Sequence, residues 1–574
     1  MPKRKSPETL RSHAWFGSQS AECSDGDLRG FSHRSRMSQL GYDPKEYQGR
    51  PIIGILNTWN DIMSCHQHFK QRVDDIKRGV LQAGGLALEI PVMALSEPFQ
   101  KPSTMLYRNL LSLEAEEIMR SYPVDGVVLM AGCDKTTPAL VMAAANVDIP
   151  TIVMPAGPML TGSFRGEPAG SGTDKVRWYN EYKAQNISAE QWMEFEQSIA
   201  RSPGHCMTMG TASTMTAVSE VLGLTLPGAS SIPAVDSRHA KMAAETGRRI
   251  VDMTWSDICP SDIITEKSMH NAVVTVLSLG GSTNAVIHLT AIARRFGIEL
   301  PIDRFNDLSW RTPILANLKP HGKYVMEDFF QAGGLPALLQ EIKDLLHTDQ
   351  LTCNGRTLGE NIAGNKIWNT DVIRSRSNAV SDQGGIVVLY GNLAPRGAVI
   401  KTSAVSEHFY FHRGHALVFE NNEDLKNRIN DPDLPVNADT VLILKNSGPV
   451  GGPGMPEWGH IPIPEKLLKQ GIRDMVRISD ARMSGTSFGT CVLHVCPESA
   501  IGGPLAAVKN GDLIELDIHA KKISLLISDE EMSNRLLSSP TIMPGISGYM
   551  QLYRDHVLQA DEGCDFDFLS QRLP

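Results

Sequence analysis

A thiol, a carboxylate and an amine stand in line at Cys133-Asp134-Lys135, inside Gly132-Cys133-Asp134-Lys135-Thr136-Thr137-Pro138. They follow the apolar run Val127-Val128-Leu129-Met130, which has the character of a buried strand. In open α/β sheets the carboxyl ends of strands are where ligands bind. A thiolate is a soft metal ligand and a carboxylate a hard one. Side by side they predict two metal centres, one bound through sulfur and one through oxygen.

Two other cysteines share turn or strand-end contexts with polar company. Cys65 lies in Asp61-Ile62-Met63-Ser64-Cys65-His66-Gln67-His68, and Cys206 in Gly204-His205-Cys206-Met207. No C-x-x-C pair occurs, so each one taken alone reads equally as a buried inert thiol. Cys23, Cys259, Cys353, Cys491, Cys496 and Cys564 lack such company and read as structural. Glu97, just after a predicted strand, reads by itself as a solvated loop acid. Glu457 sits in Gly451-Gly452-Pro453-Gly454-Met455-Pro456-Glu457, a run too rich in Gly and Pro for a helix. That run invites a phosphate-cradle reading, but it lacks the Lys-Ser/Thr ending of a P-loop. Ser484, in Ala481-Arg482-Met483-Ser484-Gly485-Thr486, is by itself a turn former and not a G-x-S-x-G nucleophile elbow. His408, His412 and His415 lie among Phe409, Tyr410 and Phe411 and read as surface or packing residues.

The elements that must carry these residues alternate strand and helix. Ile52–Leu56, Leu86–Met93, Val124–Met130 and Thr151–Met154 read as strands. Helical stretches run through Phe69 to Val80, Tyr107 to Met119 and Ala139 to Ala145. This alternation predicts a parallel sheet covered by helices. Residues 175–350 read as mostly helical, and Gly280-Gly281-Ser282-Thr283-Asn284 as a helix start capped by a hydroxyl or amide. Beyond about residue 370, short β-rich runs around 385–390, 416–419, 440–444, 475–478 and 513–518 predict a barrel-like domain. The expected class is α/β, with an N-terminal α/β/α domain followed by a C-terminal β-barrel-like domain. The expected organisation is a polar arm at 1–50, docked on the body or on a neighbouring subunit, then 51–375 and 376–574.

The chain has 574 residues, 41% apolar and 21% charged, as soluble multidomain proteins do. Its net charge of −9 supplies no basic field for nucleic acid or an anionic membrane. The basic start Met1-Pro2-Lys3-Arg4-Lys5 lacks an apolar signal core, and no apolar run is long enough to span a bilayer. A cytoplasmic location is expected.

Taken together the segments resemble the dihydroxy-acid and sugar-acid dehydratases (the IlvD/Edd family). The likeness rests on six ordered blocks: Gly132–Pro138, Cys206–Met215, Gly280–Ala285, Gly391–Ala398, Pro453–Glu457 and Ser479–Thr486. The resemblance implies a [2Fe–2S] cluster on Cys65, Cys133 and Cys206, leaving one iron position open. It implies Mg²⁺ on Glu97, Asp134, Glu457 and a carbamylated Lys135, because an ammonium has no lone pair to offer a cation. It implies Ser484 as the base. The implied reaction turns a 2,3-dihydroxy acid into a 2-keto-3-deoxy acid. Mg²⁺ stabilises the charge formed when the C2 proton leaves, and iron acts as a Lewis acid on the C3 hydroxyl. A domain-interface site near a subunit boundary, and hence a homodimer or homotetramer, is also implied.

Met105-Leu106-Tyr107-Arg108-Asn109-Leu110 and the Arg482–Thr486 turn look like the sugar-acid branch, in particular the L-arabinonate-type pentonate dehydratases. Arg108, His66 and Thr486 are the expected substrate contacts. His66 departs from the Asn that many relatives carry after the first cluster cysteine, and it reads equally as packing. The competing readings are a branched-chain dihydroxy-acid dehydratase, a non-catalytic iron–sulfur sensor and a zinc hydrolase. A sensor has no use for Ser484, Glu457 or Lys135.

Overall fold

The computed structural model describes residues 5–16, 28–538 and 545–569. Cys23 lies outside them. Four parallel strands, β1 (Ile52–Asn57), β2 (Leu86–Pro91), β3 (Gly126–Ala131) and β4 (Thr151–Pro155), form a sheet in the order β2-β1-β3-β4. Ile55 pairs with Glu89 on one side and Val128 on the other. The inner strands β1 and β3 are buried at every residue, which is why they are continuous apolar runs without alternation. The edge strand β2 alternates in exposure.

Helices Phe69–Gln82, Thr104–Ser121 and Thr136–Val147 connect these strands. Phe69, Val73, Ile76 and Val80 recur at helical spacing and are all buried. The long helix Ser237–Ser256 packs across Phe69–Gln82 and carries an Asp236 cap that accepts from the Arg238 N–H. The arm docks on this body. Ser12 gives its N–H and its hydroxyl to the Asp125 carboxylate at 2.8 and 2.7 Å, and Arg11 reaches the carbonyls of Met119 and Val124. Phe16 and Tyr47 stack into the main core.

After a short hairpin of β5 (Gly162–Phe164) and β6 (Glu167–Ala169), eight strands close a barrel. They are β7 (Val387–Gly391), β8 (Ala394–Ile400), β9 (Phe411–Phe419), β10 (Val441–Leu444), β11 (Arg477–Ser479), β12 (Cys491–Cys496), β13 (Leu513–Asp517) and β14 (Lys522–Leu525), in the order β10-β11-β12-β8-β7-β14-β13-β9. Closure removes the unpaired edges that an open sheet exposes. Its core includes Leu389, Ile400, Val418, Ile443, Val492 and Ile514. Pro395 and Gly397 hide β8 from a sequence reading, because both residues punctuate strands elsewhere. No helix among the described residues is long and apolar enough to cross a membrane.

The C-terminal segment is tied back to the α/β region. Arg295 pairs with Asp565 at 2.5 and 3.0 Å, and both side chains are wholly buried.

Lys401, the residue after β8, is 1% exposed, and its Nζ has no hydrogen-bond partner among the described residues. Burial alone pulls its pKa from the ordinary 10.5 down to about 7. Between those values the unfolded chain binds a proton that the folded chain does not, so stability rises with pH across that window. The cost at pH 7 is on the order of 4 kcal/mol. Lys401→Met keeps the aliphatic stem and removes the charge. Its urea midpoint is expected to lie above that of the parent at pH 7, with the gap closing by about pH 10.5. A gap that stays constant from pH 7 upward would contradict this account.

Candidate functional site

The site is assembled from loops at the carboxyl ends of β1, β2, β3, β10 and β11. Within each sheet these strands run parallel to their neighbours, and the Lys135–Glu457 contact brings the strand ends of the two sheets together. Cys65 sits on the short turn Ser64–His66 beyond β1, Glu97 follows β2, and Cys133, Asp134 and Lys135 follow β3 directly. Glu457 lies between β10 and β11, and Ser484 and Thr486 between β11 and β12.

Lys135 is wholly buried, and its Nζ stands among three carboxylates: Glu97 Oε2 at 3.0 Å, Asp134 Oδ2 at 3.4 Å and Glu457 Oε1 at 3.4 Å. Thr104 donates its hydroxyl to Glu97. Burial disfavours charge on every member, and the outcome differs among them. Glu97 and Asp134 are raised by burial despite Lys135. For Glu457, burial is outweighed by Lys135 and Arg482, and its pKa falls. Lys135 is also opposed by burial, yet the carboxylates, Glu97 foremost, hold it protonated above its ordinary range.

Two residues of this ring were not singled out from the sequence. Arg482 donates Nη1 to Glu457 Oε1 at 3.1 Å, Nε to the Met455 carbonyl at 2.8 Å and Nη2 to Ser103 Oγ at 3.1 Å. Ser103 also caps the helix that begins at Thr104. Asn284 donates Nδ2 to Glu457 Oε1 at 3.2 Å, Thr211 Oγ1 at 2.9 Å and the Met483 carbonyl at 3.2 Å. The sequence offered Asn284 as a helix cap. Asn284 is instead the first residue of the helix that follows Thr283; Ser282 Oγ accepts from its N–H at 3.2 Å, and its amide is free to face the site. A charged residue and an amide, each next to a Gly-rich turn, were the available signals.

Ser484 and Thr486 form one turn, with Ser484 Oγ 3.0 Å from Thr486 Oγ1. Asn284 links this turn to the carboxylate ring through Met483. Gly485 lets the turn close on the α/β region, since a methyl there would come within 2.6 Å of both Thr211 N and Ser282 Oγ. Thr173 Oγ1 donates to the Thr486 carbonyl at 2.8 Å from the same side.

The Cys65 and Cys133 sulfurs are 3.8 Å apart, and both residues are buried. The contact with Cys65 and burial push the Cys133 thiol well above its ordinary pKa. Cys206 is partly exposed, and its loop joins the Cys65 turn where the Gly204 N–H donates to the Cys65 carbonyl at 3.2 Å.

Two of the expected substrate contacts are engaged inside the protein. Arg108 is wholly buried. Its guanidinium is engaged by Asn109 Oδ1, His288 Nδ1 and the carbonyls of Gly563 and Cys564, so it clamps the C-terminal segment. His66 stacks on Phe69 with ring centroids 4.5 Å apart, and its Nδ1 lies 3.0 Å from the Thr58 carbonyl. Burial holds its pKa at about 3, so the ring is neutral, and its Nε2 has no hydrogen-bond partner among the described residues. The loop that invited a phosphate-cradle reading does hold an acidic group, but an internal one, whose pKa burial and the neighbouring Asp480 push up to about 7. The N–H groups of Val450 and Gly451 donate to the carboxylate of Glu498.

Among the described residues no three His, Cys, Asp or Glu side chains stand ready as a metal cage. The point where Glu97, Asp134 and Glu457 would meet a cation is taken by the Lys135 ammonium. The donor set still fits one. Three carboxylates face only two cations, and Asn284 Oδ1 is buried at the ring without a partner among the described residues. Two sulfurs on one tetrahedral metal with bonds of about 2.3 Å stand roughly 3.8 Å apart, which is the spacing of Cys65 and Cys133.

Partly exposed carboxylates about a buried lysine, thiols beside them and a hydroxyl turn are the equipment of an enzyme's active centre. Residues 50–361 match the family model described as dihydroxy-acid/6-phosphogluconate dehydratase N-terminal, and residues 371–564 match its C-terminal counterpart. The chain is 49% identical over 570 residues to a protein of Rhizobium leguminosarum bv. trifolii named L-arabinonate dehydratase, covering 99% of this chain and 97% of that one. It is 48% identical over 571 residues to 6-deoxy-6-sulfo-D-gluconate dehydratase of Pseudomonas putida, with the same coverage. It is 38% identical over 540 residues to a dihydroxy-acid dehydratase of Halothermothrix orenii, covering 93% and 97%. The chain belongs to the dihydroxy-acid/6-phosphogluconate dehydratase family, and it is a hydro-lyase.

Proposed function

We propose that this chain dehydrates a 2,3-dihydroxy sugar acid of the pentonate class to the 2-keto-3-deoxy acid. The observation that carries this reading is the ring of Glu97, Asp134 and Glu457 about Lys135, joined through Asn284 to the Ser484 turn. Mg²⁺, held by Glu97, Asp134, Glu457 and carbamylated Lys135, supplies charge stabilisation for the acid group and the C2 oxygen. A [2Fe–2S] cluster on Cys65, Cys133 and Cys206 supplies Lewis acidity toward the C3 hydroxyl.

The protein's own groups divide the remaining work. Ser484 Oγ takes the C2 proton. The Thr486 N–H donates to that oxygen at 3.4 Å and its hydroxyl lies at 3.0 Å, so both favour the alkoxide a serine base requires. Arg482 and Asn284 fix Glu457 against rotation. Carbamylation replaces a Lys135 N–H by a bond to carbon dioxide and releases protons, turning a cation into an anion. Beside three carboxylates that anion would need a divalent cation such as Mg²⁺ to balance it.

The polar lining of Arg482, Asn284, Thr211 and Ser282 suits a hydroxylated chain better than an isopropyl group. Relatives named for L-arabinonate and sulfogluconate at 48–49% identity, against 38% for a dihydroxy-acid dehydratase, support the same branch. The test is an anaerobic keto-acid assay with L-arabinonate, D-xylonate, 6-deoxy-6-sulfo-D-gluconate and 2,3-dihydroxyisovalerate. Sugar acids are expected to exceed the branched acid in kcat/KM by at least ~100-fold. Turnover of 2,3-dihydroxyisovalerate alone would move the chain to the branched-chain reaction.

A further inference from the structure

Glu457 reaches the ring from a glycine-rich loop that Arg482 and Asn284 hold at the Met455–Glu457 end, which leaves the 447–452 end to other groups. Residues 446–457 contain Gly448, Gly451, Gly452 and Gly454, and Asn446 and Met455 both adopt left-handed backbone with φ near 53° and 45°. Such a segment loses much conformational entropy on ordering, so something must hold it.

The holding group is a carboxylate that no catalytic role uses. Glu498, 1% exposed, accepts from the Val450 N–H at 2.9 Å and the Gly451 N–H at 2.8 Å. It also accepts from Gln559 Nε2 at 2.7 Å, while its own N–H donates to Gln559 Oε1 at 3.0 Å. A side chain at Gly448 would collide with this carboxylate, its Cβ standing 2.6 Å from Oε2. Next to it, Asp480 accepts from the Ser447 N–H at 2.9 Å and from the N–H and hydroxyl of Ser499. The stretch from Gly448 to Met455 is folded on itself, with the Gly452 N–H on the Gly448 carbonyl and the Met455 N–H on the Gly452 carbonyl. These bonds couple the Val450–Gly451 cradle to Met455, two residues before Glu457.

We propose that Glu498 is a positioning residue for the reaction: its carboxylate fills the backbone cradle of the 447–452 loop and thereby sets Glu457 in the cation-binding ring. The proposal rests on the reading of Glu457 as a ligand. Glutamine at 498 would turn an NH₂ toward at least one of the two backbone donors, opening the cradle without changing side-chain size.

The test uses full-length protein stripped of divalent metal, with Mn²⁺ alone as the probe, read by electron paramagnetic resonance. Hydrogen exchange of peptides covering 447–457 is measured alongside. Glu498→Gln is expected to weaken Mn²⁺ binding by ~10-fold, the scale of lost support behind a ligand, and to speed exchange in 447–457 while the barrel strands keep their protection. Gln559→Met, which removes one bond to the carboxylate, moves both readouts less and in the same direction. It decides the matter if Glu498→Gln does not fold. Glu457→Gln serves as control. Loss of Mn²⁺ binding in Glu457→Gln with unchanged affinity and exchange in Glu498→Gln, or in Gln559→Met where that variant decides, overturns the positioning role alone. Unchanged Mn²⁺ binding in Glu457→Gln overturns the ligand reading itself.

Discussion

Lys135→Met is expected to abolish dehydration, lowering kcat/KM by ~10⁴-fold or more. The variant leaves Glu97, Asp134 and Glu457 around an apolar tip, with Arg482 as the only cation in contact among the described residues. Lys135 is buried and its partners are partly exposed, so its removal should also make the metal-free protein unfold earlier, by less than the ~3–5 kcal/mol of a fully buried pair. Lys135→Arg separates the two roles the lysine can play. Arginine keeps a positive charge among the carboxylates but cannot carry a carbamate. If Lys135 acts as a carbamate, the arginine variant is as inactive as the methionine variant, and a ¹³C signal grown in from labelled bicarbonate appears only in the parent. Turnover retained by Lys135→Arg, with no carbamate signal in the parent, would mean that the ammonium is the working form. The Mg²⁺ half of the proposed site would then need other ligands.

The second large effect falls on the hydroxyl turn. Ser484→Ala should lower kcat by roughly 10³-fold, within the range for loss of a general base, and leave KM within a few-fold. KM is spared because the ring that would hold Mg²⁺, and through it the acid, is untouched. Exchange of the substrate's C2 proton with solvent should be lost together with turnover. Thr486→Val keeps the backbone donor to Ser484 and removes the hydroxyl 3.0 Å away, so a smaller fall, about 10-fold, is expected. Solvent exchange at C2 that persists in Ser484→Ala would assign the base to another group.

Local rules carried the α/β half of the fold. A buried parallel strand must be apolar on both faces, so β1 and β3 are legible as continuous runs. Their helices show apolar residues three and four apart, because one face of each meets the sheet. The barrel was legible as a class from its short β-rich runs, but β8, β12 and β14 were not. Strand β8 carries Pro395 and Gly397, and β12 is buried throughout without alternation. The expectation that loops after strand ends carry the chemistry follows from topology alone.

The ligand-type residues themselves were written in the sequence: a thiol, a carboxylate and an amine in succession, and a serine in a glycine-flanked turn. Their chemistry depends on side-chain type and needs no fold to be recognised. What each one touches was decided only by the tertiary structure. Lys135 is surrounded by Glu97 and Glu457 from loops 38 and 322 residues away, and sequence spacing cannot reveal such a ring. Arg108 and Arg482 are both arginines beside motif residues. Packing against the carbonyls of Gly563 and Cys564 makes the first a clamp, and packing against Glu457 makes the second part of the site. Burial decides the rest, because the field of a buried charge depends on every group brought near it, and those groups are neighbours in space and not along the chain.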